Sequence, residues 1–283
     1  MSLVDYSTMR RKPGLRRPAL RVQPTLWLAW LVILLALLAA LAPQWFTAYS
    51  ATEGIAGAQR LAPQAGHWLG TDQLGRDLFA RIVYGAAPSL SAALIAVAMG
   101  LSIGTALGLL AGAAAGKTDA LIMRGVDVLL SIPALLLSLS ILILLGFGTL
   151  HAALAVGAAS VASFARLARG EVVRIRRSDY VEAAYGSGGT FFSVLWRHIL
   201  PNALTPVIAF AALQFGQAIL ALATLSFLGY GTPPPSPEWG LLIAEGRNSL
   251  STAWWLTTLP GLTVIAVVLA ANRISVQLAG GRR

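Results

Sequence analysis

Cysteine is absent from this 283-residue sequence, which excludes disulfides, thiolate catalysis and cysteine-ligated zinc. Histidine is scarce. His67, His151 and His198 stand far apart, so no metal site is expected from this chain alone. Charge is scarce too: 11% of residues are Asp, Glu, Lys or Arg, against about 25% in a soluble domain. Hydrophobic residues make up 57% of the chain and the mean hydropathy is +0.72. A water-soluble fold could not cover that much apolar surface, so lipid must be the solvent for much of it. Acidic residues number 11 against 21 basic ones. In a soluble protein that excess would point to nucleic acid. Here the basic residues lie between apolar runs, and membrane orientation explains them without a nucleic-acid partner.

What is present is a series of apolar runs close to the ~20 residues that cross a bilayer as a helix. The first, 26–42, follows Arg10, Arg11, Lys12, Arg16, Arg17 and Arg21. It reads as an uncleaved helix rather than a signal peptide. It is long for such a peptide, and Pro43 stands directly after the small-residue exit Ala40-Leu41-Ala42. The second run is 86–115, with Pro88 in its first turn. The third, 123–145, contains Pro133, which should kink it, and ends at Gly146-Phe147-Gly148. The fourth, 151–165, is short and Ala-rich; the fifth is 203–228 and the sixth 256–278. The expected fold is all-α, a polytopic membrane protein with six transmembrane helices. It divides into a basic tail (1–25), a first helix with an external segment (26–85) and a five-helix core (86–283).

With the amino terminus inside, seventeen of the 21 Lys and Arg residues fall on inner segments. Only Arg60, Arg76, Arg81 and Arg247 fall outside. That asymmetry places both termini in the cytoplasm. Without the fourth span, Arg166, Arg169, Arg174, Arg176 and Arg177 would move outside and the pattern would break.

Three polar segments remain. In 72–84, Leu74, Leu78, Phe79, Ile82 and Val83 share one half of a helical wheel, with Gln73, Arg76, Asp77 and Arg81 on the other. This predicts an amphipathic helix lying in the membrane interface before the second span. In the outer loop 229–255, Pro233-Pro234-Pro235-Ser236-Pro237 precedes Glu238-Trp239 and predicts a stiff external projection. Pro234, Pro235, Glu238 and Trp239 are its candidate docking residues. Trp254 and Trp255 are expected at headgroup level.

The inner loop 166–202 is too long for a simple turn between packed spans. Asp179 is the expected cap of a short helix, with Glu182 three residues on. Gly186, Gly188 and Gly189 end that helix. Thr190 should cap a second one through Phe191, Phe192 and Trp196, and Pro201 should stop it before the fifth span. Aromatic residues on such a loop suggest a partner surface, and a rigid elbow between two spans would pass a partner's motion to them.

These residues carry a family pattern. Glu182-Ala183-Ala184, then Gly188, then Leu200-Pro201 match the E-A-A…G…L-P motif of ABC importer permeases. Gly70-Thr71-Asp72-Gln73-Leu74-Gly75-Arg76-Asp77 resembles the G-T-D-x-x-G-R-D segment of their dipeptide/oligopeptide branch. Met123-Arg124-x-x-Asp127 with Ser131-Ile132-Pro133, and Arg197-His198-Ile199-Leu200-Pro201-Asn202, are similar to that branch as well. So are Leu225-Ser226-Phe227-Leu228-Gly229 with Pro237-x-Trp239-Gly240, and Trp254-Trp255 with Pro260-Gly261. The resemblance spans about 26–272 and implies a type I ABC importer permease fold in the inner membrane of a bacterium or archaeon. It implies a second homologous permease subunit, two ATP-binding cassette subunits carrying ATP and Mg, and an external solute-binding protein, with no cofactor on this chain. It assigns ATPase coupling to the loop, here Asp179, Tyr180, Glu182, Ala183, Ala184, Gly188, Phe191, Phe192, Trp196, Arg197, His198, Leu200 and Pro201. The chain departs from the branch at Gly186-Ser187-Gly188, where Ala-Leu-Gly is usual, at Ala87-Pro88-Ser89-Leu90, and in its basic tail after Asn272. A helix-interior Gly costs about 1 kcal/mol relative to Ala, so early fraying of the coupling helix is expected.

Other features have plainer readings. Gly112 to Thr118 is one residue short of a phosphate loop and ends a membrane span, so a turn is expected there. Arg124 and Asp127, three apart on a helix, either pair and anchor the helix end or gate. Gln214 and Gln217 share a face of the fifth span and either bond between helices or line a path. Arg174, Arg176 and Arg177 are explained by orientation alone. An intramembrane enzyme would need catalytic groups such as paired Asp or a Ser with a base, and an ion-coupled transporter would need carboxylates at mid-membrane. The spans contain no acidic pair, His151 stands near an outer edge, and no mid-membrane carboxylate is visible.

Overall fold

The computed structural model describes residues 24–114 and 116–280. The basic tail up to residue 23, position 115 and the terminal Gly281, Arg282 and Arg283 lie outside the described residues.

Helix α1, Pro24–Leu41, is apolar around its whole circumference, as a lipid-facing span must be. Only Ala29 and Ala39 are buried, and Ala29 packs on Ala270 and Ile274. Helix α2 runs from Leu78 to Ala114, 37 residues through a π-turn at Gly100–Gly104. At 1.5 Å per residue it is about 55 Å long. It absorbs the segment expected to form a separate interfacial helix. Residues 72–76 form turns, Asp77 caps α2, and Pro88 lies well inside the helix instead of in its first turn. The polar half of the predicted wheel does not face water: Arg76, Asp77 and Arg81 are 4%, 3% and 1% exposed.

Helices α3 (Gly116–Ser131) and α4 (Ala134–Leu145) meet at a 93° bend, a break instead of a kink. Pro133 supplies no N–H and disfavours helical geometry at Ile132. Helix α5, Thr149–Arg176, extends beyond the predicted fourth span into the expected inner loop. Its buried stripe explains this, because Val161, Ala165, Ala168, Val172 and Ile175 continue at helical spacing past Arg166 and Arg169.

Helix α6 is Asp179–Gly186, and α7 is a continuous run from Phe191 to Phe227 with a π-turn at Leu195–Ile199. Pro201 therefore does not stop a separate helix. The wide turn carries the Leu200 N–H to the Leu195 carbonyl, five residues back. Pro201 falls in the first α-helical turn after it, where a missing N–H is tolerated. Helix α8 (Trp239–Gly246) lies between α7 and α9 (Trp255–Gly280). Five helices are long and apolar enough to cross a membrane, or six with the bent α3–α4 pair counted as one span. The described residues contain no β-sheet.

The centre of the bundle is the contact of α2 with α5, where Gly100, Gly104, Gly108 and Gly112 form a row of small residues. A Cβ at Gly104 would stand 2.5 Å from the Val161 carbonyl oxygen, and one at Gly108 would stand 2.4 Å from that of Ala165. Without side chains, the two backbones approach closely, and in lipid such packing is a main source of helix association. The look-alike of a phosphate loop at 112–118 is the junction of α2 and α3 at one end of this row.

Candidate functional site

The elbow 177–199 sits where α2, α5 and α7 converge. Val172, Ile175, Val181, Val194, Ile199 and Ala203 form a small buried core of its own, with Leu109 of α2 against it. Ser178, not Asp179, is the N-cap of α6, and its hydroxyl donates to the Ile175 carbonyl at 2.5 Å. Asp179 and Glu182 instead occupy the first turn, where carboxylates complement the helix dipole. At the other end, the Gly189 N–H donates to the Ala184 carbonyl and the Gly188 N–H to that of Tyr185, at 3.0 and 2.9 Å. Gly188 has φ +86°. This is a Schellman ending, which needs a left-handed residue at that place. Gly188, which matches the family pattern, closes α6 together with Gly189, and the departing Gly186 is the last residue of that helix rather than an interior one. Thr190 caps α7 by accepting from the Ser193 N–H.

The outer surface of the elbow is rich in aromatic residues, and Asp179, Glu182, Arg177 and Arg197 place two charges of each sign on it. Phe192 and Trp196 are 71% and 65% exposed, and Tyr180, Tyr185 and Phe191 are exposed as well. Phe191 and Phe192 stack edge to face with centroids 5.4 Å apart. Glu182, Ala183, Arg197 and Pro201 are exposed, while Ala184, His198 and Leu200 are half-buried. Among the described residues no hydrogen bond or ion pair reaches the Glu182 carboxylate.

Basic residues tie the elbow to the bundle in ways orientation alone did not suggest. Arg176 Nη1 donates to the carbonyls of Gly112 and Ala113 at 2.6 and 3.0 Å, so it caps the end of α2. Arg169 makes a two-pronged contact to Asp119 of α3, at 3.1 and 2.7 Å. Asp127 pairs with Arg166 of α5 instead of with Arg124. A cation placed on the carbonyls at a helix end was the signal available in the sequence for Arg176, but its partner lies 64 residues away.

At the opposite end of α2, the segment 70–81 folds against α8. Asp72 Oδ2 accepts from Arg76 Nε at 2.6 Å and from Arg81 Nη1 at 2.7 Å. Glu245 Oε2 accepts from the same two arginines, at 2.6 Å from Arg81 and 3.4 Å from Arg76. Asp77 caps Ala80 with one oxygen and meets His67 Nδ1 with the other, both at 2.8 Å. Sequence reasoning missed the cluster because Glu245 lies 164 residues from Arg81.

The loop 229–254 is not a projection. Glu238 and Trp239 are buried, so they do not stand on an outer docking surface. Glu238 caps α8 by accepting from the Gly240 and Leu241 N–H groups at 3.0 and 3.3 Å. Burial raises its pKa above the ordinary carboxylate value, opposed by hydrogen bonds from Ser226 and these two amides. Trp239 Nε1 donates to the Ile82 carbonyl at 2.9 Å, which holds α8 against α2. Pro234 and Pro235 remain exposed. Trp254 is exposed, but Trp255 is buried and donates to the Thr71 carbonyl at 3.4 Å, so only the first of the pair can meet headgroups.

Between α2, α4, α5 and α7 lies a cavity of about 610 Å³. Gln214, Gln217, Ser138, Ser160, Ser163 and Thr224 supply its polar groups, and none of its lining residues is charged. Neither glutamine side chain bonds another described residue, which leaves both amides to the cavity.

Comparison with known proteins agrees with this architecture. The family described as binding-protein-dependent transport system inner membrane component matches residues 104–280. The probable D,D-dipeptide transport system permease protein DdpC of Escherichia coli K12 is 38% identical over 241 residues, 85% of this chain and 81% of that one. The glutathione transport system permease protein GsiD of Pectobacterium atrosepticum is 39% identical over 210 residues, 74% of this chain and 70% of that one. A crystal structure of an amino acid ABC transporter with histidines matches with TM-score 0.55 at 16% identity, covering 69% of this chain and 91% of that one, and shows the shared fold. The chain belongs to the family of binding-protein-dependent transport system inner membrane components and is a permease subunit of an ABC importer.

Proposed function

We propose that this subunit pairs with a second, related permease subunit to frame a translocation path for peptides or similar small solutes. Two ATP-binding subunits dock under the elbow from the cytoplasm, where both termini lie, and an external solute-binding protein delivers the solute at the opposite end. ATP and Mg reside on the ATP-binding subunits; this chain contributes no catalytic group, metal or cofactor. The names of the dipeptide and glutathione permease relatives support the substrate class.

One observation carries the reading: an elbow with exposed aromatic residues has a buried core built from the ends of α5 and α7, with Leu109 of α2 packed on it. A docking partner that moves the elbow must move those helices with it. ATP binding closes the partner subunits, the elbow shifts, and the cavity lined by Gln214 and Gln217 changes the side to which it opens. To shift such a population decisively, ATP must favour one state by about 5 kcal/mol. Glu182→Arg in the assembled complex tests the reading. It should abolish solute-stimulated ATP hydrolysis and uptake while the subunit still reaches the membrane. Full uptake by the variant would refute it.

A further inference from the structure

A pocket of about 460 Å³ opens at the end of α2 remote from the elbow, between the ionic cluster, Pro234-Pro235 and α8. Its size lies within the usual range for small-molecule sites, about 300–1,000 Å³. Leu74, Leu78, Leu242 and Leu256 make one side apolar, and Asp72, Arg76, Arg81 and Glu245 make the other charged. Two arginines face two carboxylates, so the formal charge of this wall is zero. A lone anion or a lone cation would unbalance it in surroundings of low dielectric, whereas a ligand carrying both charges would not.

The hydrogen bonding leaves one group of each sign available. Glu245 takes both arginines on Oε2, and no hydrogen bond from a described residue reaches its Oε1. Arg76 donates through Nε and Nη2, and its Nη1 donates to no described residue. Behind them, Arg81 is 1% exposed; its Nη1 donates to both carboxylates, and its Nε and Nη2 are buried without hydrogen-bond partners.

We propose that this pocket is a docking site for a small zwitterion of the free-dipeptide class. The α-ammonium donates to Glu245 Oε1, the α-carboxylate accepts from Arg76 Nη1, and side chains lie on the leucine wall. The inference rests on the transport reading and assigns the substrate an entry station on this subunit, separate from the glutamine-lined cavity.

The test uses the assembled transporter in nanodiscs without nucleotide and without binding protein, so a failure of coupling at the elbow and a failure of this pocket are separate outcomes. Saturation-transfer NMR compares alanyl-alanine with its N-acetylated, C-amidated form. Free dipeptide should give the stronger signal, and Glu245→Gln should lower it about fivefold. Glu245→Asp, which keeps the charge, should retain the preference. Leu74→Trp, which adds bulk at an exposed lining position and keeps all four charged side chains and the Leu74 N–H bond to Asp72, should lose it even if Glu245→Gln does not assemble. Equal signals from the free and blocked forms, or a preference unchanged in Leu74→Trp, would overturn the proposal.

Discussion

Arg176, the last residue of α5, donates to the carbonyls of Gly112 and Ala113 in the last turn of α2. One side chain thus joins the end of the 37-residue α2 to the start of the elbow. The hydrogen bonds are charge-assisted, and such bonds contribute about 1.5–3 kcal/mol when buried; Arg176 is half-buried, so the lower end applies.

Arg176→Ala should therefore lower stability by about 1–2 kcal/mol and uncouple more than it destabilises. ATP hydrolysis should persist while solute uptake falls. The ratio of uptake to hydrolysis in proteoliposomes checks this, and Arg176→Lys should recover part of it because a single ammonium can still reach one carbonyl.

The glycine row of α2 should not tolerate even the methyl group of Ala without a shift of α5, because a Cβ at Gly104 or Gly108 already meets a backbone carbonyl. Gly104→Val drives two methyl groups toward the Val161 carbonyl and Phe164, and overpacking of this kind costs about 1–3 kcal/mol or more. The expected result is loss of assembled complex in detergent. Gly125→Val, at a site with nothing within 4 Å, should be neutral.

Gly188→Val should shorten the life of the elbow without touching its aromatic surface. Its φ of +86° is strained for a β-branched residue, at a cost of roughly 1–2 kcal/mol. Hydrogen exchange at the amides of residues 188 and 189, which donate to the Tyr185 and Ala184 carbonyls, should accelerate, and Gly188→Asn should be milder.

Glu238 gives a pH signature. Burial raises its pKa in the folded state, so folding takes up a proton there. The associated stability is fully present below the unfolded value of about 4.3 and is lost as pH rises through the raised folded value. Glu238→Gln resembles the protonated form, keeps an oxygen to cap α8, and should remove this part of the decline in thermal midpoint between acid and neutral pH. An unchanged slope would show that Glu238 is ionised without penalty.

The spans were legible where apolar runs are bounded by polar or glycine signals, as at 26–42, 203–228 and 256–278. The elbow's helix–glycine–helix form was legible from Gly188 and Thr190. The hidden features depend on partners far along the chain. The polar face of 72–84 looked solvated because Glu245 could not be placed beside Arg81. Trp239 looked like a projecting anchor because its acceptor, the Ile82 carbonyl, belongs to another helix. Pro201 looked like a stop because the π-turn before it leaves no trace in apolar periodicity. The glycine row stood in the sequence at four-residue spacing, readable as a close helix contact, but its partner helix α5 was not.

The most direct test places a single thiol at position 183 of this cysteine-free chain. In inside-out vesicles stripped of the ATP-binding subunits, Ala183→Cys should react with a membrane-impermeant maleimide, and re-adding those subunits should block the reaction. Labelling from the outside of intact cells, or labelling indifferent to the ATP-binding subunits, would contradict the elbow as the coupling surface.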